Sequence, residues 1–123
     1  MGMQVYCNNR ELWAPSLQVG TLFLSQIRAL EPVVGLESGI ESPLADMLEI
    51  DASSFGTFIH RLLLLLDTTN NGPLFALAAG CTEVALALHA DITGQWPVVS
   101  DRLKPLLPKA QMVMKALPDA RVL

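Results

Sequence analysis

Among the residues able to do chemistry, Glu83 has the most unusual setting. It falls on one helix-spaced stripe with Ala76, Ala79, Gly80 and Ala87. A carboxylate among such small neighbours must be exposed, hydrogen-bonded or shifted in its protonation. With His60 facing it from the preceding helical stretch, it would form a general acid and base in an apolar pocket. The plainer reading is an edge position, or an ion pair with Arg61 or Arg28. His60, His89, Cys7 and Cys81 share no short spacing, so no metal site is expected. The chain has no phosphate loop, no Gly-x-Ser-x-Gly elbow and no His-Glu-x-x-His, and nothing in it implies a cofactor. The glycine-bounded VGLESG, residues 34–39, contains Glu37, which would repel phosphate.

A second constellation is electrostatic. No Lys or Arg occurs between Arg28 and Arg61, an interval holding Glu31, Glu37, Glu41, Asp46, Glu49 and Asp51. Most basic residues come late: Arg102, Lys104, Lys109, Lys115 and Arg121. With a net charge of −4, such a distribution argues against nucleic acid, whose phosphates the acidic middle would repel. The plain reading is a solvated acidic surface. The functional reading is a docking face for a basic protein partner, with Glu37, Glu41, Asp46 and Glu49 as its candidate residues.

The elements that must position these groups follow from composition and spacing. At 123 residues the chain has the size of one domain, spanning 1–123. Hydrophobic residues make up 51% and charged ones 16%, against roughly 25% charged in typical soluble domains. Disorder is excluded, and the apolar surplus predicts a partner, most simply a second copy. MGMQVYCNNR lacks the pattern of a signal peptide. The apolar stretch at residues 73–91 is broken by Thr82 and Glu83, so it reads as a buried helix rather than a membrane span. Two distant cysteines fit free thiols in a reducing cytoplasm.

QVYCNNRELW reads as a hairpin turned by Asn8-Asn9, with Val5 opposite Leu12 and Tyr6 opposite Glu11. Met3, Val5, Cys7 and Leu12 would share its buried face. Ser16 caps a helix whose stripe is Val19, Leu22, Phe23, Ile27 and Leu30, ended by Pro32 and Gly35. LESGIESPLA reads as a loop. DMLEID, residues 46–51, alternates as a short third strand, with Leu48 and Ile50 inward. Asp51 then caps a helix over Ser53–Leu66, with Phe55, Ile59, Leu62 and Leu66 as its stripe.

Leu62 to Leu66 is five leucines in a row, and a helix apolar all round is a buried one. Asn70-Asn71-Gly72 turns the chain and Pro73 starts an antiparallel helix with a bulky stripe, Leu74, Leu77, Cys81, Val84 and Leu88. Leu64 lies roughly opposite the main stripe of its helix, which predicts cover from a subunit interface or from the C-terminal helices. Ser100 caps a short helix, Pro108 starts another and Pro118 stops it. Met112 and Met114 cannot both face one core stripe. Trp13 and Trp96 either line a pocket or plug the core. The fold class is α+β and mostly helical: an N-terminal β-hairpin, with the third strand, packed on a helical bundle around a central antiparallel helix pair.

Leu12-Trp13, Pro15-Ser16, Gly20, Leu22-Phe23, Gln26, Glu31, Gly35-Leu36, Ser38-Gly39-Ile40 and Ile50-Asp51 before Phe55 form a pattern over residues 11–66. This pattern resembles a small actinobacterial family described only as a domain of unknown function. The resemblance implies a cytoplasmic protein and carries no activity. The C-terminal WPVVSDRLKPLLPKAQ is not part of it.

Two functions are therefore expected. The leading one is a non-enzymatic interaction protein, most concretely an immunity-type protein whose acidic face neutralises a basic toxin. The other is a small enzyme or binding protein for an apolar metabolite. Its pocket would lie between the sheet and the helical hairpin, with Glu83 and His60 as polar groups.

Overall fold

The computed structural model describes residues 2–117. Asn8 and Asn9 hold positive φ values of 52° and 64°, the conformation that lets a two-residue turn match strand twist. They join β1 (Gln4–Cys7) to β2 (Arg10–Trp13). Tyr6 pairs with Glu11 as expected, but Val5 faces Trp13 and not Leu12. A register shift between Val5 and Tyr6 gives β2 an extra residue there. Such a bulge re-aims side chains, and here Leu12 and Trp13, neighbours in sequence, are both buried.

Ser16 accepts a hydrogen bond from the Val19 N–H and opens α1 (Leu17–Val34). Pro32 does not stop this helix but lies in its last turn, and Gly35, at φ 85°, closes it. Phe23, Ile27 and Leu30 are buried, while Leu22 of the expected stripe is exposed.

The segment read as a loop contains β3 (Ile40–Leu44), which pairs antiparallel with β4 (Met47–Ile50). Only Ile40 of β3 is buried, so the strand carries no alternation for the sequence to reveal. Pro43 is tolerated there because β3 is an edge, where a missing N–H breaks no ladder. The sheet order is β2-β1-β4-β3, with β1 and β4 parallel.

Gly39 brings β3 against the next helix. Its φ is 75°, and a Cβ on it would stand 2.6 Å from the Ser54 Cβ. Its carbonyl accepts from the Asp51 N–H, and the Asp51 carboxylate accepts from the Ser54 N–H. Asp51 thereby caps α2 (Ala52–Thr68).

Asn71 caps α3 (Gly72–Thr93), which returns antiparallel to α2, bringing His89 beside Phe55 and His60. Of the leucine run, Leu62, Leu63 and Leu66 are buried and Leu65 half-buried. Burial on α3 concentrates in its second half, where residues 85–90 are all buried. The expected bulky stripe is therefore broken: Cys81 and Leu88 are buried, Leu74 and Val84 half-buried, and Leu77 is 83% exposed. By length and composition alone α3 could cross a membrane, and half of its most apolar window is buried within the fold.

Ser100 does not cap a helix. Its hydroxyl donates to the Asp67 carboxylate, and residues 101–105 form turns. Arg102 donates to the Asp67 and Thr69 carbonyls and lies over the Phe75 ring, supplying donors where α2 ends. In α4 (Leu106–Ala116), which packs along α3, Pro108 sits in the first turn. Met112 is exposed and Met114 half-buried. The stop expected at Pro118 lies outside the described residues. One buried cluster joins the inner sheet face, through Val5, Leu48 and Ile50, to Ile27, Phe58, Leu62 and Leu86.

Candidate functional site

Directly paired residues project from the same face of a sheet, and the pairing here builds one row across all four strands. Glu11 pairs with Tyr6, Tyr6 with Glu49, and Glu49 with Glu41. These side chains point away from the helices, being exposed or, for Tyr6, half-buried. Three of the four residues in the row are thus carboxylates. Two of them, Glu41 and Glu49, stand directly opposite each other.

At the β3 end the row runs into a concavity of about 630 Å³, lined by Glu37, Glu41, Glu49 and Asp51 with Asn8, Asn9 and Ser54. Among the described residues no Lys or Arg lines it. The hydrogen bond from the Ser54 backbone holds the Asp51 carboxyl below the usual carboxylate range, so Asp51 stays ionised. Asp46 is not part of this hollow. It lies at the far end of the β3–β4 turn, where it shares a second concavity with Glu11 and Gln4. Among the described residues Glu37, Glu41, Asp46 and Glu49 make no ion pair.

The neighbouring charges are used elsewhere. Arg10 pairs across the strands with buried Cys7 and so projects to the helix side, where it donates to Asp91 on α3. Arg28 donates to Glu31 and to the Ile40 carbonyl. Burial works to raise the Glu31 carboxyl, but hydrogen bonds from Ser38 and the charge of Arg28 outweigh it and leave it lowered. Glu31 is therefore a structural member of the acidic interval, tying α1 to the start of β3. No group of three or more His, Cys, Asp or Glu among the described residues is arranged to hold a metal ion.

The structure does not assemble the pair that sequence suggested for catalysis. His60 donates from Nδ1 to the Gly56 carbonyl, 2.7 Å away, and its ring faces His89 rather than Glu83. Glu83 is half-buried, and its side chain has no hydrogen bond or ion pair among the described residues, with Arg61 and Arg28 included. The space between sheet and helical hairpin is filled by Leu48, Phe55, Phe58 and Leu62, all fully buried. Cys7 and Cys81 are free, and burial pushes the Cys81 thiol up to about 12, which leaves it unreactive.

An apolar hollow of about 220 Å³ does exist, but between α1, α3 and α4. Trp13, Phe23, Val84, Val113 and Leu117 wall it, with Gln26 at its rim. The Trp13 Nε1–H is buried without an acceptor among the described residues. Trp96 is half-buried against the core elsewhere. Leu64, 57% exposed, is not covered by the described part of the C-terminal segment. It borders a groove of about 340 Å³ with His60, Val98 and Leu103.

The chain belongs to a family of unknown function, DUF6086. That family's model matches residues 1–119, so the kinship extends well past the stretch 11–66 and takes in the C-terminal segment. No curated protein and no solved structure matches the chain.

Sequence reasoning found Glu37, Glu41 and Glu49 but missed Glu11 and Tyr6, which sit outside the acidic interval. The signal was present in the hairpin: once Tyr6 is opposite Glu11, any strand added beside β1 extends that row.

Proposed function

We propose that this member of DUF6086 is a non-enzymatic interaction protein that docks a basic segment of a partner protein on the outer face of its sheet. The observation that carries this reading is the Glu41–Glu49 pair, set directly opposite each other in a concavity with no basic residue in its lining. Like charges in that position destabilise a sheet, and a cationic partner relieves the repulsion. Electrostatic complementarity of this kind mainly sets association rate and specificity, so binding should weaken steeply with salt.

The sharper form of the proposal is an immunity-type role in the cytoplasm, in which the acidic face covers a basic toxin. It predicts that a toxic basic protein encoded beside this one loses its activity when mixed with an equal amount of the chain. For the docking reading itself, the test is fluorescence anisotropy with a short Lys- and Arg-rich peptide at roughly 0.01 M and 0.15 M ionic strength. Binding should occur at low salt and be abolished in the Glu41→Lys/Glu49→Lys double variant. Equal binding by both proteins would end the proposal.

A second reading, a binding protein for a small apolar molecule, is favoured by the hollow beside Trp13. Its test is uptake of an uncharged naphthalene probe by the wild type, and loss of that uptake when Val113→Trp fills the hollow.

A further inference from the structure

His89 is a buried imidazole with nothing to hold it charged. It lies in the second half of α3, 8% exposed, with the Phe55 ring 6.3 Å and the His60 ring 6.1 Å away, both edge-on. Gly56 lies against it as well, since a Cβ there would stand 3.6 Å from the His89 Cε1. The His89 ring makes no hydrogen bond among the described residues. No carboxylate bonds to either imidazole among the described residues. Asp91, two residues further along α3, is taken by Arg10. Asp67, in the groove that His60 borders, accepts from Ser100.

We propose that the facing imidazoles of His60 and His89 form an acid-sensitive switch on the seam between α2 and α3. Neutral, the rings pack edge to face; a proton on the buried His89 ring places a charge in the seam beside the exposed His60, with no counter-ion bonded to it among the described residues, and loosens the packing. Burial, and then the charge of His60, lower the His89 pKa from its ordinary value. Between the lowered value and the ordinary one, the unfolded chain binds a proton that the folded chain refuses. The stabilisation is therefore complete above the ordinary histidine pKa and is lost as the pH falls through it. The part of α2 that meets His89, through Phe55, Gly56 and His60, follows shortly after the Asp51 cap, so opening reaches the wall of the acidic concavity. The switch does not depend on whether that concavity binds anything.

Proton NMR of the two imidazoles, combined with thermal melts at pH 7.5 and 5.5, tests this. His89 should titrate below its ordinary value, and the Tm should fall by about 4 °C between the two pH values. His89→Leu, which keeps an apolar group of similar size at the seam, should lose most of that fall. His60→Gln, at an exposed position, should move the His89 midpoint back toward its ordinary value. A His89 midpoint at or above the ordinary value, or equal Tm falls in the wild type and His89→Leu, overturns the switch. Should His89→Leu fail to fold, His60→Gln decides alone: an unmoved His89 midpoint is the contrary result.

Discussion

On the outer face of the sheet, Glu41 stands opposite Glu49, and among the described residues no Lys or Arg lines the concavity they share. Between α1, α3 and α4, Val84 and Val113 face a hollow that holds no charged side chain. Both surfaces lack something, but the physics of the lack differs. The glutamate pair imposes a standing electrostatic cost on the isolated chain, and the fold does not need it, since either carboxylate could be neutral without disturbing the core. The hollow costs only the dispersion contacts that its walls fail to make, and any atoms of the right size would supply them. A charge pattern therefore specifies the chemistry of a partner, whereas an apolar gap specifies little beyond its volume. For that reason the acidic face, and not the hollow, carries the leading proposal.

The largest break in this comparison should come from Gly39, which joins the acidic concavity to the fold. Gly39→Ala forces a Cβ toward the Ser54 Cβ at a positive φ. We expect a loss of about 2 kcal/mol or more in denaturant unfolding, with a matching loss of peptide binding. A variant with wild-type stability would show that β3 and α2 are less closely seated than described.

Next in size is Val113→Trp, aimed at the other region. Filling the hollow should abolish uptake of the naphthalene probe, change stability by no more than about 1 kcal/mol and leave basic-peptide binding untouched. Loss of peptide binding as well would mean that the two surfaces are one site.

These two regions were also unequally legible. Leu48 and Ile50 alternate with Glu49 and Asp51, so β4 and its outward carboxylates could be read directly, as could the Asp51 cap. β3 could not, because Ile40 is its only buried residue and Ser42-Pro43 punctuates it like a loop. The acidic row across the sheet depends on that strand and on the parallel pairing of β1 with β4, a long-range pairing with no local signature. On the helical side, the composition of α3 announced burial on two faces, yet Leu77 and Gly80 face open space. Periodicity marks a face as apolar without saying whether the chain has enough length left to cover it. His89 was read only as a metal ligand too far from the others in sequence, and His60 also as a partner for Glu83; the antiparallel return of α3 is what brings the two imidazoles together.

A smaller effect separates cost from function on the acidic face. Glu41→Lys converts the like-charge pair with Glu49 into an opposite-charge pair, so stability should rise by about 0.5 kcal/mol while affinity for the basic peptide falls. If the variant is less stable than the wild type, Glu41 has a structural role and the repulsion argument fails.

Leu64→Glu should have the least effect on folding, within about 0.5 kcal/mol, because the side chain is 57% exposed within the chain. Its readout is mass in solution by light scattering. A shift from dimer to monomer would establish the groove shared by Leu64 and Val98 as a contact between copies, and an unchanged mass would remove Leu64 from any interface.

The most direct test of the docking proposal is a backbone NMR titration of the wild-type chain with the Lys- and Arg-rich peptide. The account predicts shift changes confined to Tyr6, Glu11, Glu37, Glu41, Glu49 and Asp51 and their neighbours, shrinking as salt is added, with Val84 and Val113 unmoved. Changes spread evenly over all exposed acidic residues, with Asp101 moving as much as Glu49, would contradict it.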